Sequence, residues 1–398
     1  MHAEGEWLRG VLRFAVGGAV LMFAIKAAAS PFLPRDDTQV LERLPGANTP
    51  QFRQLKSLRS AAALAPNDIA RATILAAAYI RASRLEGDPR FLGYAQAALT
   101  PWWKNPEAPI AVLMLRATIL QSRHEFDTAL ADLDKLLLQD PGNPQALLTR
   151  ATVLTVRGKY AEARSDCNRL YGIVPEVYPV ACIAAIDSVT GGAGRAYENL
   201  QRTVHGSAPV DSGGRAWAET LLGEIAHRRG DSVAESHFRA ALDAGERDLY
   251  LLGAYSDWLL DQGRAAEVVT LLQNESRADT LLLRLALAQR ALNRPEATAS
   301  IDALRARFEA SHARGDTVHQ RENARFELFL RGDARSALPL ALANWKVQRE
   351  PADLRVLAEA AAASGDAAAL AVVRQWLADT GFEYPAVAVL VHNRDAAK

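Results

Sequence analysis

The sequence predicts an all-α chain, an α-solenoid of about nine stacked helix pairs. Three observations carry that expectation. First, Arg-Ala-Thr followed by Ile or Val and then Leu occurs at 71–75, 116–120 and 150–154, and the last two copies lie 34 residues apart. Second, the match widens around them: Phe126, Ala129, Leu133 and Pro141 shift by 34 onto Tyr160, Ala163, Cys167 and Pro175. Third, a Gly-plus-polar turn recurs at Gly158-Lys159, Gly230-Asp231, Gly263-Arg264, Gly332-Asp333 and Gly365-Asp366. A unit of that length is one supersecondary element that cannot bury its apolar face alone, so neighbours must stack.

The elements follow in chain order. Residues 14–25 form a twelve-residue apolar run, followed by Lys26, Ala27-Ala28-Ala29 and Ser30. At about 1.5 Å per residue this run falls short of a bilayer core of about 30 Å. Residues 1–30 therefore read as a secretory signal peptide, with an exit near Ala29, or as a retained amino-terminal membrane anchor. Both readings stay open, and no cysteine is present there for lipid attachment. Pro31, Pro34, Pro45 and Pro50 with Gly46 mark residues 31–50 as a Pro-rich linker, because prolines so close cannot share one helix. A capping helix is expected over 51–66, the array over 67–380, and a cap and tail over 381–398.

Within the 110–143 unit, Val112, Leu115, Ile119 and Leu120 share a face of the first helix. Phe126, Ala129, Leu130, Leu133 and Leu137 share a face of the second. Ala117 and Ala129 are small enough to let the two backbones approach. Pro141-Gly142-Asn143-Pro144 stops one unit and starts the next. The first spacing, 45 residues, leaves the opening unit overlong, and its second helix runs into Pro101 and Trp102-Trp103. The period is weak at 178–205 and 278–310. Trp345 and Trp376 fall late in second helices, where packing on a neighbouring unit is expected.

On these residues the chain resembles the tetratricopeptide repeat (TPR) superfamily over roughly 67–380, most specifically at 110–177. The segments 87–91 and 345–351 resemble those of bacterial envelope-associated proteins of this type. The resemblance implies a right-handed superhelix whose first helices line a concave face. It also implies a non-catalytic interaction scaffold, or adaptor, that binds a protein or peptide segment.

Composition narrows the classes. Among 398 residues, 46 Lys and Arg balance 46 Asp and Glu, 49% are apolar and 23% charged. That excludes a wholly disordered chain and argues against a general nucleic-acid partner, which needs a basic surface to displace phosphate counterions. Arg-Gly-Asp occurs at 229–231, 314–316 and 331–333, where Gly and Asp suit interhelix turns rather than an adhesion signal. The stretch Thr190-Gly191-Gly192-Ala193-Gly194-Arg195 lacks the strand and the Lys-Ser/Thr of a phosphate cradle and reads as a turn. His124-Glu125 and the set His312, His319 and Glu322 lack metal-ligand spacing. No catalytic motif, cofactor site or metal site is expected. An enzyme with residues dispersed over the repeats is the remote alternative.

Cys167 and Cys182 belong to adjacent units, in the second helix of one and the first of the next. They read either as a disulfide closing a loop of about fifteen residues or as two buried thiols. For the concave face, Thr118, Gln121, Thr152 and Thr155 are candidate groove residues. Arg71, Arg116 and Arg150 share one register, which makes either a ladder clamping carboxylates or a row paired with acids of the array. The expected place is the periplasm or another extracytoplasmic side of the envelope. The alternative is a membrane-anchored assembly or chaperone factor facing the cytoplasm.

Overall fold

The computed structural model describes residue 36 and residues 49–392, apart from 246, 247 and 317. The leader at 1–30 and nearly all of the linker lie outside the described residues. The chain divides into a unit of residues 1–53 and a unit of 54–398, and the architecture below is that of the second.

After α1 (Pro50–Ala63), nine consecutive helix pairs run through the described residues. Pair 1 is α2 (Ile69–Glu86) with α3 (Arg90–Ala98) and the short α4 (Thr100–Trp103). Pairs 2 and 3 are α5 (Ile110–Ser122) with α6 (Phe126–Gln139), and α7 (Pro144–Val156) with α8 (Tyr160–Arg169). Pairs 4 and 5 are α9 (Val177–Asp187) with α10 (Ala193–His205), and α11 (Ser212–Arg229) with α12 (Ala234–Ala244). Pairs 6 and 7 are α13 (Leu249–Asp261) with α14 (Ala265–Leu272), and α15 (Asp279–Ala291) with α16 (Glu296–Ala313). In pair 8, α17 (Gln320–Arg325) runs into a π-helical turn at Phe326–Arg331 before α18 (Ala334–Val347). Pair 9 is α19 (Pro351–Ser364) with α20 (Ala367–Thr380), and α21 (Pro385–His392) closes the described array. The fold is an all-α solenoid of TPR-like helix pairs. The stretches 178–205 and 278–310, weak in sequence, form pairs as regular as the rest.

Local chemistry sets the ends. Gly158, Gly230, Gly263, Gly332 and Gly365 all take a left-handed φ between 70° and 78°, which side-chain-bearing residues adopt at a cost. Asp333 and Asp366 then accept from the backbone N–H of Ser336 and Ala369, capping the second helix of their pairs. All three Arg-Gly-Asp triplets sit at such ends: one follows α16 and the others join the helices of pairs 5 and 8. In pair 2, Val112, Leu113, Ile119, Phe126, Leu133 and Leu136 are buried, with Ala117 and Ala129 fully enclosed between the backbones. Leu115 is only half-buried and turns toward the inside of the superhelix.

Cys167 of α8 and Cys182 of α9 are joined by a disulfide with Cα atoms 5.6 Å apart. This covalent stitch fastens pair 3 to pair 4.

The array winds back onto itself. The left-handed turn of each of the first four pairs meets a loop of the later pairs. Gly87 packs against Ala278, while Arg277 pairs with Glu86 at 3.1 Å and a separation of 191 residues. His124, also left-handed, feels the charges of Glu350, Arg321, Glu322 and His319. Gly158 sits under the Trp376 ring, and the Arg349 N–H donates to the Val156 carbonyl at 2.8 Å. Gly191 faces the backbone of Gly381. An offset near 190 residues therefore recurs along this seam, so one superhelical turn takes about five and a half pairs at about 34 residues each. Tyr160 and Val189, from pairs 3 and 4, share an apolar cluster with Trp345, Leu357, Phe382 and Val387.

Candidate functional site

The winding curves the concave side around a partly open lumen, and the first helices of the pairs supply most of its wall. Three cavities of about 740, 510 and 380 Å³ line up along it. The first two share Arg84, Trp217, Thr220 and Tyr250 as lining. The second and third share Glu224, Arg228 and Pro351. They form a row of neighbouring, partly open cavities that share wall residues.

Its mouth at pairs 1 and 2 is amphipathic. Ile80, Leu85, Met114 and Leu115 supply apolar wall, and Thr118 lies among them. Tyr250 stays 57% exposed and donates its hydroxyl to Glu224 at 2.7 Å. Desolvation in the lumen holds the Glu224 carboxyl above its ordinary range, with Arg228 pulling it back. In the middle cavity Thr152 and Thr155 face Arg84 and Arg349. The Arg349 guanidinium lies 5.0 Å from the Trp376 ring centre and 6.0 Å from that of Trp345. Trp345 and Trp376 meet edge to face at 5.2 Å, and Tyr160 packs on Trp376 from the earlier turn. Burial pushes the Tyr160 phenol up to about 12, against the opposing charge of Arg349, as expected of a dry junction.

Ion pairs close the far end. Asp257 of α13 sits between Arg284, at 2.5 Å, and Arg325, at 3.0 Å. Burial alone would raise the Asp257 carboxyl, but the two guanidinium groups win and hold it near 2. Asp261 takes both Arg355 and His227 and is likewise held well below the usual carboxylate range. These contacts tie α13 to α15, α17, α19 and α11.

The expected groove residues divide into two sets. Thr118, Thr152 and Thr155 do line the lumen, although each hydroxyl donates back to its own helix four residues earlier. Gln121 is half-buried near the end of α5. The arginine register lies elsewhere and is already engaged. Arg116 is buried, forks onto Asp132 with two 2.6 Å bonds, and donates to the Trp103 and Asn105 carbonyls. Arg150 forks onto Asp166 and reaches Asp134 of the preceding pair. Arg71 pairs with Asp68 at 3.2 Å and donates to the Ala61 carbonyl of α1. The ladder is thus a set of internal struts, because each register position faces the second helix of its own pair or the element before it. Arg116 also explains the overlong first unit, since it grips the backbone of the extra turn carrying Trp102 and Trp103.

Sequence reasoning missed Arg84, Trp217, Tyr250, Arg228 and Arg349. Trp217 and Tyr250 lie 33 residues apart but are the sixth residue of α11 and the second of α13, so the repeat does not link them. Among the described residues, no group of three or more His, Cys, Asp or Glu is placed to hold a metal ion. No helix among them is long and apolar enough to cross a membrane.

Comparison with known proteins adds fold-level likeness only. No family model matches the sequence, and no curated protein does. Among solved structures, a tetratricopeptide repeat protein from Parabacteroides merdae is similar at 18% identity and a TM-score of 0.38. That match covers 64% of this chain and 90% of the other. The APC/C hetero-tetramer Cut9–Hcn1 is similar at 16% identity and a TM-score of 0.40, covering 82% of this chain and 52% of that one. The helix-pair stack itself, rather than these likenesses, defines the class: a TPR-like α-solenoid.

Proposed function

We propose that the chain is a non-catalytic interaction scaffold that holds a segment of a protein partner in the lumen, in a bacterial envelope. The carrying observation is the row of neighbouring cavities from Ile80 and Met114 to Arg349. It offers apolar wall, aromatic rings and charged donors in one preformed row, so binding needs little reorganisation. The Cys167–Cys182 bond supports an oxidising compartment, and the leader pattern at 1–30 supports export.

A photo-crosslinker in place of Trp217, followed by mass spectrometry of the conjugates in cells, tests the binding reading. Recovery of one protein's peptides, lost when Tyr250→Asp is added, is the expected result. Absence of any protein conjugate, together with a small molecule that shifts the melting temperature, overturns it. Sequencing the mature amino terminus tests location separately. A start near Ser30 supports export, and an intact leader on a cytoplasm-facing chain replaces it with the anchored assembly or chaperone factor.

A further inference from the structure

The seam between the two superhelical turns leaves two edges of the same kind unused. Each seam junction sets the turn between the helices of an early pair against a loop between later pairs. Among the described residues the turns of pairs 5, 6 and 8 have no such cover: a side chain built at Gly230, Gly263 or Gly332 would meet nothing within 4 Å. Among the described residues the loops beneath pairs 2 to 4 are open as well, since nothing lies within 4 Å of a side chain built at Gly142 or Gly172. Both rows carry apolar side chains that a solvated edge does not need. On the loop row, Leu138 is 82% exposed, Tyr171 47% and Ile173 48%. On the turn row, Val233 is 44% exposed and Leu292 38%.

We propose that these two edges dock on each other between copies, so that the chain associates head to tail and prolongs its own seam. A second copy is the occupant the geometry favours. Its loop row repeats at the spacing of the turn row by construction, and the seam shows that this chain already seats turns on loops. The contact joins two different surfaces, so it does not close on itself and can add further copies.

The test is sedimentation velocity of the purified full chain over a concentration series, with the wild type, two variants and their mixture. The wild type should associate in a concentration-dependent way. Tyr171→Asp with Ile173→Asp on the loop row, or Val233→Asp with Leu292→Asp on the turn row, should each weaken association at least tenfold. Circular dichroism confirms that each variant keeps its helix content. An equimolar mixture of the two variants should recover dimers and stop there, because each retains one sound edge. A wild type that stays monomeric at every concentration overturns the proposal. So does association untouched by either variant, the pattern an apolar leader would give. Failure of the mixture to recover dimers overturns the head-to-tail arrangement as well. None of these readouts depends on a bound partner in the lumen.

Discussion

The turns of pairs 1, 3 and 4 and those of pairs 5, 6 and 8 are built alike, each around a glycine in the left-handed region. Their surroundings differ completely. A side chain at Gly87 would meet the Ala278 Cβ at 2.5 Å, and one at Gly158 the Trp376 ring at 2.8 Å. At Gly230, Gly263 and Gly332 it would meet open space. The same residue thus does one job in the later pairs, taking a positive φ, and two in the earlier ones, where it also clears room for the next superhelical turn. Repeat identity does not determine contact, because contact depends on whether another turn lies one superhelical pitch away.

The largest effect that would break this comparison is expected at the seam's cover. Trp376→Ala should cost about 3–5 kcal/mol of unfolding free energy in urea and speed hydrogen exchange at 156–160. An unchanged exchange rate there would show that the ring does not hold the seam. Removing the disulfide with Cys167→Ala and Cys182→Ala should cost about 3 kcal/mol. A much smaller loss would mean that docking already restrains pairs 3 and 4, which sharpens the contrast. Gly158→Ala should cost about 2–3 kcal/mol, combining left-handed strain with overpacking, against about 1 kcal/mol for Gly263→Ala. Equal losses would dissolve the distinction. In a Trp376→Ala background the Gly158→Ala penalty should fall toward that of Gly263→Ala, a coupling read from the double-mutant cycle.

A further effect is in acid. Asp257 is held near 2 in the folded chain, below the value of about 3.9 of a free side chain. A depressed carboxylate stabilises the fold above its unfolded pKa, and that stability drains as pH falls through the folded value. The urea midpoint should therefore drop between about pH 4 and pH 2, with Asp257 contributing about 2 kcal/mol. Asp257→Asn should flatten that part of the profile. The docked turn at Gly191, which faces the backbone of Gly381, should not share this dependence.

Legibility differed between fold and site. The 34-residue recurrence placed pairs 2 and 3, and the Gly-plus-polar turns placed pairs 5, 6, 8 and 9, since both features arise within one unit. The π-helical turn at Phe326–Arg331 left no such mark, although Arg290 of α15 donates to its Leu330 carbonyl. Arg116 and Arg150 were recognisable as one register, but their direction was not. Only the crossing of the two helices in a pair decides that Asp132 and Asp166 lie in front of them. Arg84, Trp217 and Tyr250 come from pairs 1, 5 and 6, and no local pattern relates residues so far apart.

By itself, the sequence determined the helices, their pairing and their turns, because apolar spacing, glycine and capping residues act over a few residues. It determined the charge balance too, and with it the supply of acids that engage Arg71, Arg116 and Arg150. The tertiary structure alone decided the pitch. Small rotations at each pair boundary accumulate until Gly158 arrives beneath Trp376 and Gly191 beside Gly381. A sum of that kind appears in no single repeat, yet it turns an open concave face into a walled lumen and leaves two edges uncovered.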